Sequence, residues 1–173
     1  MLQEYLNHLQ EQRRERGKGG WKQKPSPTFA YELVYGKTIP GGWRSGRCPL
    51  PHTQKTWNGI PIDEHLKTKW LNDLAKIKNV EMRASCEGHS PDWVTFIAFR
   101  LDPKHDNDKA FLDKVAMRMN RSDKWTRCGY DVGTQGRPRF VCAAKLWYDK
   151  KNNKDWENWW KTLAKRLDKA VNY

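Results

Sequence analysis

Residues 80–101 read VEMRASCEGHSPDWVTFIAFRL, and this stretch decides the fold. Val80, Met82 and Ala84 alternate with Glu81, Arg83 and Ser85, the period of a half-buried strand. Glu87-Gly88-His89-Ser90-Pro91 supplies turn chemistry. Trp93 to Leu101 is rich in β-branched and aromatic residues and predicts a more central strand. A second hairpin follows, in which Trp125–Val132 and Arg139–Tyr148 flank Gly133-Thr134-Gln135-Gly136.

Three helical patterns surround the hairpins. Asp63 is a suitable N-cap for a helix over 64–78, with Leu66, Trp70, Leu71, Leu74 and Ile77 on one face. Asn107 or Asp108 opens a helix that runs to about Asn120. Asp155 caps a last helix whose apolar stripe is Trp156, Trp159, Trp160, Leu163, Leu167 and Ala170. Lys161, Lys165, Arg166 and Lys169 lie on its other face. Helix, hairpin, helix, hairpin, helix predicts an α+β fold: one four-stranded antiparallel sheet with helices on one face.

The first third reads differently. Leu2, Tyr5, Leu6 and Leu9 give residues 1–16 the narrow stripe of an amphipathic helix. Residues 17–60 are punctuated by Gly and Pro without a sustained period, so they are expected to form an extended arm. The folded domain is then 61–173. The arm carries Trp21, Phe29, Tyr31, Tyr35, Trp43 and Trp57, which a disordered linker would lack. These are the candidate contacts to a protein partner or to a second copy of the chain.

Thirty-three Lys and Arg against 20 Asp and Glu leave the 173-residue chain at +13, with ten Trp. The charge is spread. Ten basic against four acidic residues give +6 through residue 60, and 23 against 16 give +7 beyond it. Such a charge attracts polyanions, so nucleic acid or an acidic assembly is the expected partner. No apolar run is long enough to span a membrane. The polar N-terminus lacks the pattern of a secretory signal, and Cys48, Cys86, Cys128 and Cys142 are expected as reduced thiols in a cytoplasm.

If Val80, Met82, Ala84, Cys128, Tyr130 and Val132 face the helices, the opposite parity presents Arg83, Trp125, Arg127, Arg139, Lys145 and Trp147. Cations interleaved with flat rings suit single-stranded nucleic acid, phosphates on the one and bases on the other. The competing reading has the N-terminal helix and arm covering this face, which moves the basic contact to Lys161, Lys165, Arg166 and Lys169. Cys86 and His89, with Cys48 and His52 upstream, form a candidate Cys₂His₂ zinc set. In the bland reading Cys86 is a buried thiol beside a turn in which Gly88 takes a positive φ. Cys86 with His89 as nucleophile and base, or Mg²⁺ held for a nuclease by Asp63, Glu64 and His65, or by Asp92 with Glu87 and Asp131, are the enzymatic alternatives. No phosphate-binding Gly-rich loop or nucleophile elbow is present.

The segment Asn79–Ser90, running into Thr95–Phe99, resembles a hairpin of small proteins of tailed bacteriophages. In those a strand ends in Cys-x-Gly-His and a second apolar strand follows. The resemblance spans this hairpin only and implies a phage origin rather than an activity. A fainter similarity links Ser85-Cys86-Glu87-Gly88-His89 to the Ser-Cys-Ser-Gly-Arg turn of the wybutosine-synthesis tRNA methyltransferases. Glu87 and His89 stand where that turn has Ser and Arg, so tRNA or methyl-donor binding is not carried over. The function expected is that of a non-enzymatic basic binding or assembly protein, phage-encoded and acting in the host cytoplasm or virion. Its arm would meet a protein partner and its basic surface nucleic acid. The alternative is a nucleic-acid-modifying enzyme, or a zinc-containing nucleic-acid binder, centred on Cys86 and His89.

Overall fold

The computed structural model describes residues 23–39, 52–132 and 136–173. The helix expected over 1–16, Trp21, Trp43, Cys48 and the tip of the second hairpin lie outside them. Among the described residues the elements run α1 (Ser26–Tyr35), β1 (Gln54–Trp57), β2 (Ile60–Asp63), α2 (Thr68–Ala75), β3 (Val80–Cys86), β4 (Thr95–Leu101), α3 (Lys109–Asn120), β5 (Thr126–Asp131), β6 (Arg139–Ala144) and α4 (Lys154–Asn172). A short 3-10 turn, Pro103–His105, leads from β4 to α3.

The expected α+β fold is present. Strands β3 to β6 form one antiparallel sheet in the order β3-β4-β6-β5. Each hairpin pairs its own strands, and β4 against β6 joins the two. On one face α2, α3 and α4 bury a large core. Ile97, Phe99, Leu101, Phe140 and Cys142 of the sheet meet Leu71, Leu74, Leu112, Val115, Met119, Trp159, Trp160 and Leu163. Asp108 caps α3 by accepting from the Phe111 N–H. Helix α4 starts earlier than expected, with Asn153 at the N-cap and Asp155 in the first turn, where its charge suits the helix dipole.

The sheet is covered on its second face too, as in the competing reading of the arm, although by a helix within it rather than by an extended segment. Phe29, Ala30 and Leu33 of α1 pack on Phe96, Ala98, Val141 and Ala143, together with Cys86, Trp93 and Val94. Central strands with two buried faces lose their alternation, and β4 is buried at every position but Arg100. The Pro and Gly that read as an arm are start and stop signals instead. Pro25 and Pro27 sit where helical N–H groups have no partner anyway. Gly36 closes α1 in a left-handed conformation (φ +66°), its N–H donating to Glu32 O at 2.8 Å. Asn58-Gly59 makes a two-residue turn with both φ positive, and Trp57 pairs Ile60 across it.

Polar contacts fix where α1 begins. Gln23 Nε2 donates to Asp131 O and Arg137 O at 2.7 and 2.8 Å. The Lys24 N–H donates to Asp131 Oδ2 at 3.0 Å, and the Lys24 ammonium pairs with buried Glu32. Arg139 Nη2 donates to Lys24 O at 2.6 Å and lies over the Phe29 ring.

Strand β3 contains a bulge between Met82 and Ala84. Val80 and Met82 side with the helix-face core, whereas Cys86 belongs to the α1-side core. An extra residue in one strand reverses the parity of everything after it. The expectation that Ala84 continues the Val80–Met82 face fails for this reason.

Phe29→Ala tests whether α1 belongs to the cooperative unit. Truncating a ring buried to 2 % exposure should lower the unfolding free energy by about 3–5 kcal/mol in urea denaturation. A loss below about 1 kcal/mol would show that α1 docks independently of the sheet.

Candidate functional site

At the end of β3 the chain makes a turn that only glycine can complete. Gly88 has φ +81°, and a Cβ there would lie 2.7 Å from Trp147 Cα and 2.8 Å from Thr95 N. The positive φ is as the sequence suggested. The turn closes with the His89 N–H donating to Trp93 O at 2.8 Å and the Trp93 N–H donating to Ser90 O at 2.9 Å. Glu87 is anchored through both its backbone groups: its N–H donates to Asp63 Oδ2 at 2.9 Å, and its carbonyl accepts from Trp156 Nε1 at 2.7 Å.

This places His89 beside the end of β2. His89 Nε2 lies 3.5 Å from Asp63 Oδ2, and His52 Nε2 lies 3.2 Å from Asp63 Oδ1. The two imidazole rings are 4.5 Å apart, centre to centre. On the far side of His89, Nδ1 is 3.8 Å from Glu87 Oε1. Glu87 Oε2 accepts from the His65 N–H at 3.1 Å and lies 3.0 Å from His65 Nδ1. His65 in turn stacks on Tyr148. The cluster opens into a cleft of about 500 Å³ lined by Ser26 and Pro27 of α1, Gln54, Ser85 and Trp93.

Asp63 and Glu87 are both buried. Burial alone would raise the Asp63 carboxyl, but His89, the Glu87 N–H and His52 outweigh it and hold Asp63 below its ordinary range. Glu87 goes the other way: burial and then the neighbouring Asp63 charge push it up against the pull of His65 and His89.

The zinc set read from the sequence is therefore brought together only in part. His52 and His89 meet, as expected. Cys86 packs into the α1-side core and lines the same cleft, its sulfur accepting from the Gly88 N–H at 3.4 Å, but it does not join the close donor group. The third donor beside the histidines is Asp63. Asp63 was expected to cap a helix, but it ends β2, and α2 begins only at Thr68 without a side-chain cap. The Asn58-Gly59 turn ahead of Ile60–Asp63 was the signal that could have found it. His89 presents its nitrogens to Asp63 and Glu87, which does not arrange Cys86 and His89 as nucleophile and base. Of the carboxylates weighed for Mg²⁺, Glu64 and Asp92 are exposed, while Asp131 is buried against Lys24 and Arg139.

The expected stacking face does not exist as drawn, because α1 covers that side of the sheet. Arg139 is occupied in holding α1, and Lys145 lies over the Tyr35 ring. Trp125 is half-buried against the helix-side core with the Lys124 ammonium over it. Trp147 is half-buried beside Gly88. Arg83 pairs with Glu81 at the sheet edge, and Arg127 remains exposed. On α4, Lys161, Lys165 and Lys169 are exposed. Arg166 is spent within the fold, donating to Ser122 Oγ, Thr126 Oγ1 and Trp159 O.

Several aromatics expected to meet a partner are consumed internally. Phe29 and Tyr31 are buried, Tyr35 donates its hydroxyl proton to Pro91 O, and Trp57 Nε1 donates to Asn72 Oδ1. A second basic feature escaped sequence reading: a groove of about 520 Å³ between the C-terminal halves of α3 and α4, lined by Met117, Arg118, Arg121, Arg166, Lys169 and Tyr173. Helical spacing alone did not reveal which faces of the two helices adjoin. Among the described residues no helix is long and apolar enough to cross a membrane.

No protein-family model, curated protein or solved structure matches the chain.

Gly88→Ala should destabilise the protein by at least about 2 kcal/mol, since it adds a left-handed alanine to a clash with Trp147 and Thr95 backbone. Thermal unfolding measures this. An unchanged midpoint would mean that the turn relaxes freely and does not fix His89.

Proposed function

We propose that the protein is a basic, non-enzymatic nucleic-acid-binding protein of a phage-type assembly, and that it meets the polyanion along the exposed edge of α3 and α4. The observation that carries this reading is the alignment of cations there. Lys161, Lys165 and Lys169 recur every four residues on the solvent side of α4, about 6 Å apart along the axis. Arg121 and Lys114 are exposed on neighbouring α3, and Arg118 lines the groove between the helices. Arg118 is already aligned, donating to Ala170 O and Tyr173 O across that groove. Such a stripe contacts phosphates and carries no base readout, so it predicts binding that is strong at low salt and tolerant of sequence. The net charge of +13 and the hairpin resemblance to tailed-phage proteins support the same reading. Trp21 and Trp43 remain its candidate contacts to an assembly partner.

Fluorescence anisotropy with a labelled single-stranded oligonucleotide tests it. Wild-type affinity should fall steeply between about 50 and 200 mM salt. Replacing Lys161, Lys165 and Lys169 together by Gln should weaken binding and reduce the slope of log affinity against log salt by about 2. Affinity independent of salt, or a triple variant that binds like wild type, would reject the α4 edge as the interface.

A further inference from the structure

The cluster at the end of β2 and β3 carries an inference of its own, separate from nucleic-acid binding. We propose that His52, Asp63 and His89 bind one Zn²⁺ ion through two imidazole nitrogens and one carboxylate oxygen, with the fourth position open to the α1 cleft.

Three observations converge on it. First, the donor atoms are spaced for one ion. Zinc takes nitrogen and oxygen ligands at about 2.0–2.2 Å in tetrahedral array, which sets neighbouring donors about 3.4 Å apart. Here His52 Nε2 lies 3.2 Å from Asp63 Oδ1 and His89 Nε2 lies 3.5 Å from Asp63 Oδ2, and with one donor atom taken from each residue the three lie within 4.8 Å of one another.

Second, His89 Nε2 is buried, and its nearest acceptor among the described residues, Asp63 Oδ2 at 3.5 Å, is an ion-pair contact without good hydrogen-bond geometry. A buried ring nitrogen left without a hydrogen bond is costly, and a metal ligand bond removes that cost. The other nitrogen, Nδ1, faces Glu87 Oε1 at 3.8 Å. A carboxylate behind a ligating histidine is the usual support of a zinc site, because it fixes which ring nitrogen meets the metal.

Third, the charge is right. Asp63 and Glu87 are two adjacent buried carboxylates, each 3 % exposed, and among the described residues no Lys or Arg pairs with either. A dication between the histidines would offset both. Two imidazoles favour Zn²⁺ over Mg²⁺ or Ca²⁺, which prefer all-oxygen shells. The cleft alongside, about 500 Å³, has room for a water or another small ligand in the fourth position.

The full-length protein, stripped with chelator and dialysed, should take up one equivalent of Zn²⁺ by elemental analysis. Co²⁺ in its place should give the visible absorption of a four-coordinate nitrogen–oxygen site, without a thiolate charge-transfer band. His89→Gln and His52→Ala should each weaken Zn²⁺ binding on the order of 100-fold, with far-ultraviolet circular dichroism confirming the fold. Cys86→Ser should leave the stoichiometry at one. Because the Co²⁺ spectrum is read on the wild-type chain, it decides the matter even if a variant unfolds. Failure of the wild-type protein to retain either metal would overturn the proposal. So would a thiolate band lost in Cys86→Ser, which would move the site to the sulfur.

Discussion

Three buried indole N–H groups tie the molecule together. An indole can be buried cheaply only if its one donor finds a partner. Trp156 reaches Glu87 O at 2.7 Å, Trp159 reaches Thr126 Oγ1 at 3.0 Å, and Trp160 reaches Thr95 Oγ1 at 2.8 Å. The Thr95 hydroxyl in turn donates a hydrogen bond to Cys86 O at 2.8 Å. One turn of α4 therefore dictates where β4, β5 and the turn after β3 must lie. Removing a single acceptor would strand a buried donor at about 1–3 kcal/mol. The histidine cluster inherits its geometry from this: the carbonyl that holds Trp156 belongs to the residue whose N–H holds Asp63.

Much of this was legible in sequence, and the exceptions share a cause. Alternation in Val80–Met82, the apolar run Trp93–Leu101 and the stripe of α4 are local patterns, and the structure follows them. Cys128 and Cys142 sit at mirrored offsets from the second turn and do face each other in register, their sulfurs 3.1 Å apart. What local patterns cannot express is the company a segment keeps. Helix α1 has a weak stripe and Pro–Gly punctuation, so its aromatics signal that the segment packs on something, but not that it does so as a helix. Asp63 looked like a cap because acidic residues before an apolar stripe usually are. Its actual partners are 11 and 26 residues away in sequence, in positions that only the two hairpins bring together.

The tryptophans and the charge, both conspicuous in the composition, have separate explanations. Trp70, Trp93, Trp156, Trp159 and Trp160 are buried parts of the two cores. Exposed Lys and Arg are spread over helices, strand edges and loops, and three of them, Lys161, Lys165 and Lys169, align on α4. Basic residues nearest the sheet are employed structurally, Arg139 under α1 and Arg166 under Trp159. The fold and the proposed polyanion contact thus draw on different members of the same residue types.

The anchoring of α1 also orders events in time. Its contacts reach across the chain: Lys24 to Asp131 spans 107 residues, and Arg139 to Lys24 spans 115. The hairpins and the α3–β5 unit close over short loops, whereas α1 must wait for β6 to exist. Phe29 and Leu33 can be covered only where β4 and β6 already lie side by side. Ser26 and Pro27 line the cleft beside His52 and His89, so that cleft is complete only with α1 docked. The wall of the histidine cluster is thus supplied by the segment whose contacts span the most sequence.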